Sequence, residues 1–562
     1  MITIDGNILL IDTMTLTARM ERGYLTSLVS KKTGMNMLTP FSVDQGSALE
    51  LVFRGDDAIP VSGDVHAQCT AFQLTPTRVE LRFNNWHADG LLVISEDEQT
   101  GDLMVDASAF SSRPGVRSCR YNVRGLRKDM DFIAPITQGI RMKLDDPLLV
   151  GRRAIWPQVW EAAMWISQGQ DGGFWMHAED KEYRFKLLKC GVGNDQFGLG
   201  MEAENYGPLD DKLSAGGLIW RFNVYEGDWH VPAARYRDWL WKAYDLKKEE
   251  ARRPDWLQQL SLGISWCPTD PDILDALARR LDPKKVILHL PQWRQFGYDE
   301  DYPRFIASVK AREFVAKCQQ MGFHVMPHCT SMEIDPSVDV MDKVGSFAIR
   351  EVETGKRLGW SWVNQSASSG VPGSDWALVT NKANKVMVKI HTALPMWHSI
   401  LRENIKSAVD DLNLEAVFID VTLCTNNAVN GLVNGTPTTY GLLKELDYLR
   451  TMGLAGRPMY ICGEGRNEIC MQGLCVTQAH LMSREDPQAQ LRTGACDLNT
   501  FMFGKLCRTI GYNALDGKTS ASAIYMQANL DHGAMPTLTI RQADEINHPN
   551  AAVRRMLELA KS

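Results

Sequence analysis

The sequence predicts a multidomain protein: an N-terminal antiparallel β-sandwich (residues 1–232), a linker helix (233–256) and a (β/α)8 TIM barrel (257–562). Three observations lead there. Up to about Val224 the chain reads as short apolar runs, several of period two, set off by Gly, Asn, Asp and Pro turns. Beyond residue 257 the rhythm becomes apolar run, helical stretch, apolar run, as parallel strands with crossover helices read. A chain of 562 residues also exceeds what one ordinary core accommodates, so it divides.

In the first part, strands are expected at Ile8 to Ile11, Leu16 to Met20, Val79 to Phe83, Leu91 to Ser95, Leu103 to Ala107 and Leu218 to Val224. The cluster Trp156, Trp160, Trp165 and Trp175 reads as sandwich core, with the lining of a cleft as the alternative. Tyr236, Trp239, Leu240 and Tyr244 then recur at helical spacing, and the charged stretch Lys247 to Pro254 ends in proline, which marks the linker helix.

The barrel pattern follows in order. Leu260 to Trp266 is a first strand with Ile273 to Leu281 as its helix; Lys285 to Leu290 is a second with Phe305 to Met321; Phe323 to His328 is a third. About 85 residues then separate His328 from Glu415, too many for one connection. Asn381 to Asp411 reads as helix, and Cys329 to Thr380 as a long insertion carrying Trp360, Trp362 and Trp376. Ala416 to Ile419 and Met459 to Cys462 are the fourth and fifth strands, joined by the helical stretch Tyr440 to Met452. Gly473 to His480, Leu498 to Tyr512 and Met535 to Ile540 supply the sixth to eighth, with too little chain between five and six for a full helix.

Composition excludes several classes. A net charge of -7, with Lys and Arg interspersed among acids, offers no basic stripe, so nucleic acid is not an expected partner. No apolar run nears the length of about 18 residues that spans a bilayer, and the start lacks the basic and apolar segments of a signal peptide; no membrane partner and a cytoplasmic location are expected, a leader-trimmed secreted protein being the alternative. The 12 cysteines form no paired framework, and Cys462, Cys470 and Cys475 lack zinc-site spacing, which fits reduced thiols. Asp299, Glu300 and Asp301 resemble a calcium loop only loosely, so no metal and no cofactor is expected. The 16 tryptophans serve cores first, and also suit stacking on sugar faces.

Candidate chemistry gathers at the strand ends. Trp266 follows strand one, Trp293 and Arg294 follow strand two, His328 strand three, Asp420 strand four and Glu464 strand five, and such residues share the mouth of a barrel. Two carboxylates on one rim suit glycoside hydrolysis, in which one acid protonates the leaving oxygen and the other attacks or stabilises the sugar cation. The alternative is that either acid caps a helix or pairs with an arginine. The two acids must differ, Asp420 ionised and Glu464 protonated.

Two stretches carry a family resemblance. Leu16-Thr-Ala-Arg-Met-Glu-Arg-Gly-Tyr-Leu-Thr-Ser-Leu-Val-Ser-Lys-Lys-Thr-Gly resembles the first hairpin of galactose-mutarotase-like sandwiches, which often precede a catalytic barrel. Phe-Ile-Asp420 and Cys-Gly-Glu464-Gly resemble the arrangement of α-amylase-like and endo-α-N-acetylgalactosaminidase-like retaining glycosidases, with Asp after strand four and Glu after strand five. The whole chain looks like a poorly characterised bacterial family of sandwich-plus-barrel α-glycosidase-like proteins. The resemblance implies a retaining α-glycosidase for an α-linked hexose or N-acetylhexosamine, with Asp420 as nucleophile and Glu464 as acid/base. The α-galactosidase-like barrels keep the strand-four Asp but take the acid from strand six.

Around this pair the expected carbohydrate-binding residues are Trp266, Trp293, Arg294, His328, Trp360, Trp362, Arg466 and Asp531, with Asp497 or Asp531 as a third carboxylate. Arg294 and Arg466 would hold Asp420 ionised or bind an anion, and His328 would meet a sugar hydroxyl. Open alternatives are an inverting glycosidase, a transglycosylase, a non-catalytic carbohydrate-binding protein, and a lyase or epimerase acting on a sugar acid; a homo-oligomer is also open.

Overall fold

The computed structural model describes residues 1–63, 66–193, 195–361, 386–454, 456–482, 496–512 and 514–561. The chain divides into two compact units at Ala243 and Tyr244, a short segment ending at Leu498 being grouped with the first.

The first unit is built of antiparallel sheets. A four-stranded meander (Ile2–Asp5, Ile8–Asp12, Leu16–Glu21, Tyr24–Ser30) opens it, followed by a nine-stranded and a six-stranded sheet. Alternation decides which face turns inward: Leu16, Ala18 and Met20 are buried, and Thr17 and Arg19 between them are exposed. The Leu16–Glu21 hairpin turns through Arg22 and Gly23, both with positive φ (49° and 83°), which matches the strand twist of a two-residue turn. Trp156, Trp160, Trp165 and Trp175 are buried to 3% exposure or less, so they are core and line no cleft. The helix His230–Ala243 closes this unit, burying Tyr236 and Leu240.

The second unit is a nearly closed barrel of eight parallel strands: β1 (Leu262–Ile264), β2 (Val286–Leu290), β3 (His324–Thr330), β4 (Ala416–Asp420), β5 (Tyr460–Glu464), β6 (Leu474–Ala479), β7 (Arg508–Gly511) and β8 (Thr537–Leu538). They pair in the order β7-β6-β5-β4-β3-β2-β1-β8. Across the seam the Met535 N–H donates to the Thr509 carbonyl (2.9 Å) and the Gly511 N–H to Thr537 Oγ1 (3.0 Å). Ile287, Met326, Ala416, Phe418, Cys462, Val476 and Ile510 fill the interior, so the apolar runs of the sequence are the strands. Helix starts have local causes: Asp270 accepts the Asp272 N–H ahead of Pro271–Ala278, and Ser308 accepts the Ala311 N–H ahead of Val309–Met321.

Three expected elements differ. Of the helix proposed for 381–411, the described residues show helix from Pro395 to Leu412; Val386–Lys389, rich in β-branched residues, is instead the central strand of a small sheet with Glu333–Ile334 and Gly359–Ser361. Of the stretch 498–512, Leu498–Phe503 is helix and only Arg508–Gly511 is strand. The helical linker is two helices, His230–Ala243 and Leu246–Ala251, separated at Asp245, whose φ is 51°.

Candidate active site

The parallel register pairs Ile419 of β4 with Gly463 of β5, so the next residues, Asp420 and Glu464, stand side by side. Their carboxyls share a hydrogen bond. Val421, one residue on, has a φ of 55°, an unusual conformation for a β-branched residue, and its N–H donates to Glu464 Oε2 (3.2 Å). Thr422 clamps the β5 backbone from the other direction, donating from Oγ1 to the Glu464 carbonyl (2.7 Å) and accepting the Glu464 N–H (2.8 Å). His480, just beyond β6, hydrogen-bonds Glu464 Oε1 through Nε2 (2.9 Å).

The two acids differ in the sense opposite to the sequence expectation. Burial pushes Asp420 well above the ordinary carboxyl range, and the neighbouring Glu464, Glu333 and Asp299 push it further. Burial also opposes a charge on Glu464, but His480, the contact with Asp420 and the Val421 N–H hold it below its ordinary value. Within the pair the proton is therefore drawn toward Asp420 and the charge toward Glu464.

A second carboxyl layer comes from the insertion. Glu333 pairs in register with Lys389 of the small sheet, and both are buried. Burial raises Glu333 to about 8, partly offset by Lys389. Burial works against the Lys389 ammonium as well, yet Cys424, Glu333 and Glu464 together keep it charged. Lys389 is thus the buried cation set against the carboxyls of the mouth.

Aromatic rings wall the mouth. Trp266, with φ 57° at the end of β1, lies against Tyr298 (5.2 Å between ring centroids) and Tyr512 (6.2 Å), and Tyr512 against His480 (4.4 Å). His328 sits inside β3, buried, with Nε2 3.5 Å from Asp420 Oδ2 and Nδ1 3.1 Å from His289 Nε2.

Of the residues expected from sequence, Asp420, Glu464, Trp266 and His328 come together here. Four do not. Trp293 is fully buried and donates from Nε1 to the His328 carbonyl (2.8 Å), so its face is committed to packing. Arg294 donates to the carbonyls of Gly297, Glu300 and Arg304 and lies over the Tyr302 ring; it fastens the 297–304 loop and holds no carboxylate there. Arg466 turns to Thr500 Oγ1 (2.6 Å) and the Cys507 carbonyl (3.1 Å). Asp531 ends the helix Ser520–Asp531 that leads into β8, and accepts from Gln527 Nε2 (2.6 Å). A helix leading into a strand delivers its last residues to the amino end of the barrel, away from the mouth. Asp497 precedes the helix Leu498–Phe503, and the further carboxyls acting on Asp420 are Glu333 and Asp299. Trp362 and the side chain of Trp360 lie outside the described residues.

Sequence reasoning missed Glu333, Lys389, Asp299, His289, Tyr298, His480 and Tyr512. His480 and Tyr512 stood at the ends of expected strands and were legible by the rule that picked Asp420. Among the described residues no group of three or more His, Cys, Asp or Glu is arranged to hold a metal, and no helix is long and apolar enough to cross a membrane.

This geometry defines a class: antiparallel sandwich sheets followed by a parallel barrel with paired acids at the carboxyl ends of β4 and β5. Solved structures are similar to this chain in fold. The α-N-acetylgalactosaminidase NagBb from Bifidobacterium bifidum, ligand-free, matches with a TM-score of 0.66 at 13% identity, covering 100% of this chain and 93% of that one. Its GalNAc complex matches with a TM-score of 0.65 at 13% identity, over 100% and 92%. The GH36 α-galactosidase AgaB from Geobacillus stearothermophilus follows with a TM-score of 0.46 at 10% identity, over 100% and 86%. The chain has the fold of NagBb. In sequence, residues 218–431 match a domain of unknown function, DUF6259, a span that contains Asp420 and stops before Glu464. No curated protein matches.

Proposed function

We propose that the protein is a retaining α-glycosidase acting on an α-linked hexose or N-acetylhexosamine glycoside. The observation that carries this is the hydrogen-bonded contact of Asp420 and Glu464 at the mouth of the barrel. Retention needs carboxyls roughly 5 Å apart and inversion roughly 6.5–9.5 Å with a water between them; adjacent strands in register bring the two acids close, which supports the shorter gap. The fold shared with an α-N-acetylgalactosaminidase supports the α-linked substrate class.

The shared hydrogen bond supplies the step that the resting charges demand. Asp420 passes its proton across to Glu464, leaving an Asp420 carboxylate and a neutral Glu464. Glu464 then protonates the glycosidic oxygen as Asp420 attacks the anomeric carbon, and afterwards Glu464 takes a proton from the water that releases the sugar. Trp266, Tyr298 and Tyr512 offer apolar faces for the ring of the sugar.

The resting proton positions favour a second reading, in which Glu464 is the nucleophile and Asp420 the acid. One experiment separates the two: turnover of a panel of aryl α- and β-glycosides by wild type, Asp420→Asn and Glu464→Gln, with azide added. Azide restoring Glu464→Gln with a glycosyl azide of retained configuration supports the first assignment; restoring Asp420→Asn with a product of retained configuration supports the second. Wild-type turnover in both variants would sink the catalytic pair. A sugar that binds without being cleaved by wild type would point to a binding protein.

A further inference from the structure

His289, inside β2, joins the site through a chain of hydrogen bonds whose direction can be derived. The backbone N–H of Trp266 lies 3.3 Å from His289 Nδ1, and a backbone N–H only donates. Gln478 Nε2 lies 3.2 Å from the same nitrogen. Gln478 Nε2 also reaches Ser265 Oγ (2.9 Å), whose hydroxyl is spent on the Tyr512 carbonyl and so accepts from Gln478. Both neighbours therefore ask His289 Nδ1 for a lone pair, which puts the ring proton on Nε2.

From Nε2 the bond continues to His328 Nδ1 at 3.1 Å, so His328 Nδ1 accepts and His328 too bears its proton on Nε2. That Nε2 is buried, has no full hydrogen-bond partner among the described residues, and points at Asp420 Oδ2 3.5 Å away. Phe418 packs against both rings, at centroid distances of 4.4 Å and 5.5 Å, and limits their rotation. Glu464 acts on His289; His289 and Arg294 act on His328, with Asp420 and the Tyr298 ring (5.1 Å between centroids) against it; burial keeps both imidazoles neutral.

We propose that His289 is a positioning residue that locks His328 as the Nε2–H tautomer and aims this N–H at Asp420. His328 is then a fixed donor and not a base. While Asp420 holds its proton the 3.5 Å gap is open; once that proton has crossed to Glu464, the N–H closes on the new carboxylate as a charge-assisted hydrogen bond. The proposal rests on the reading of Asp420 and Glu464 as the acting pair.

The test begins with imidazole 15N spectra of the full-length, 15N-histidine-labelled protein, with His289 and His328 assigned from the signals lost in His289→Gln and His328→Gln. Both residues should be neutral Nε2–H tautomers, and a His328 carrying its proton on Nδ1 would overturn the proposal. Kinetics form the second arm. His289→Phe removes the donor and should lower kcat by about tenfold or more with KM held within about twofold, whereas His289→Gln keeps an N–H near the Nε2 position and should restore most of the loss. An unchanged kcat in His289→Phe overturns the positioning role even if the tautomers are as derived. Should His289→Phe not fold, the wild-type spectrum decides, and a His328 proton on Nδ1 overturns the proposal. If wild type cleaves no glycoside, the glycosidase reading fails on its own, and the spectra still report whether His328 is locked.

Discussion

Glu202 in the sandwich and Asp420 in the barrel are both carboxyls drawn out of water, and they titrate in opposite directions. Glu202 is 0% exposed, yet it accepts from Arg117 Nη2 (2.6 Å), Ser118 Oγ (2.5 Å) and Arg120 Nε (2.8 Å). Burial opposes its charge, but the two guanidiniums outweigh that and hold it down to about 2. Arg120 is further tied to Glu50 and Asp56, and Lys189 to Asp56, so this network balances its charges. At the barrel mouth the groups acting most strongly on Asp420 are other carboxyls, and the proton stays on. Burial by itself does not mark a working site. What separates Asp420 from Glu202 is the sign of its neighbours, which are carboxyls rather than guanidiniums.

The comparison breaks most easily by removing the acids themselves. Asp420→Asn or Glu464→Gln should lower turnover of the cleaved glycoside by about a thousandfold or more while leaving the thermal midpoint near wild type. Glu202→Gln should do the reverse: about 3–5 kcal/mol of stability lost, because Arg117 and Arg120 are left facing a neutral group, with kcat of the folded fraction unchanged. Denaturant titration beside steady-state kinetics checks both.

Acid and base titration sharpens the contrast. The Glu333 carboxyl, raised from 4.5 to about 8, binds its proton more tightly in the folded state. Its contribution is complete below about 4.5 and is lost as pH rises toward 8, so Glu333→Gln should flatten the fall of the thermal midpoint over that window. Glu202, lowered from 4.5 to about 2, contributes above 4.5 and loses it as pH falls toward 2; in Glu202→Gln the acid side should flatten. A Glu333→Gln midpoint that follows wild type from pH 5 to 8 would show that the Glu333 proton is not held by the fold.

The smallest effects divide the tryptophans. Trp266→Ala, at the mouth, should raise KM by about two- to tenfold with little change in kcat, the value of one aromatic face. Trp293→Phe, whose indole N–H is bonded to the His328 carbonyl, should leave KM alone and cost about 1 kcal/mol of stability. A KM that rises equally in both would remove the distinction drawn between wall and core.

Much of the barrel was legible because its signals are local. Val-Phe-Ile before Asp420 and Tyr-Ile-Cys-Gly before Glu464 are short buried runs, and a residue that ends such a run stands on the rim whatever the rest of the chain does. Arg294 and Arg466 were misjudged for the same reason in reverse. A strand-end position puts an arginine near the rim, but here the guanidiniums of Arg294 and Arg466 go to backbone carbonyls brought to them by loops distant or folded back in the chain.

The sequence by itself determined most of the barrel strands and that Asp420 and Glu464 each end one, since strand length and apolar content follow from residues close in the chain. Only the tertiary structure decided which acid keeps the proton, that Lys389 and Glu333 meet at the same mouth, and that His289 directs His328 toward Asp420. Proton positions depend on the sum of burial, charge and donor direction at a point, and these come from segments as far apart as Trp266, Glu333 and Gln478, which no local pattern brings together.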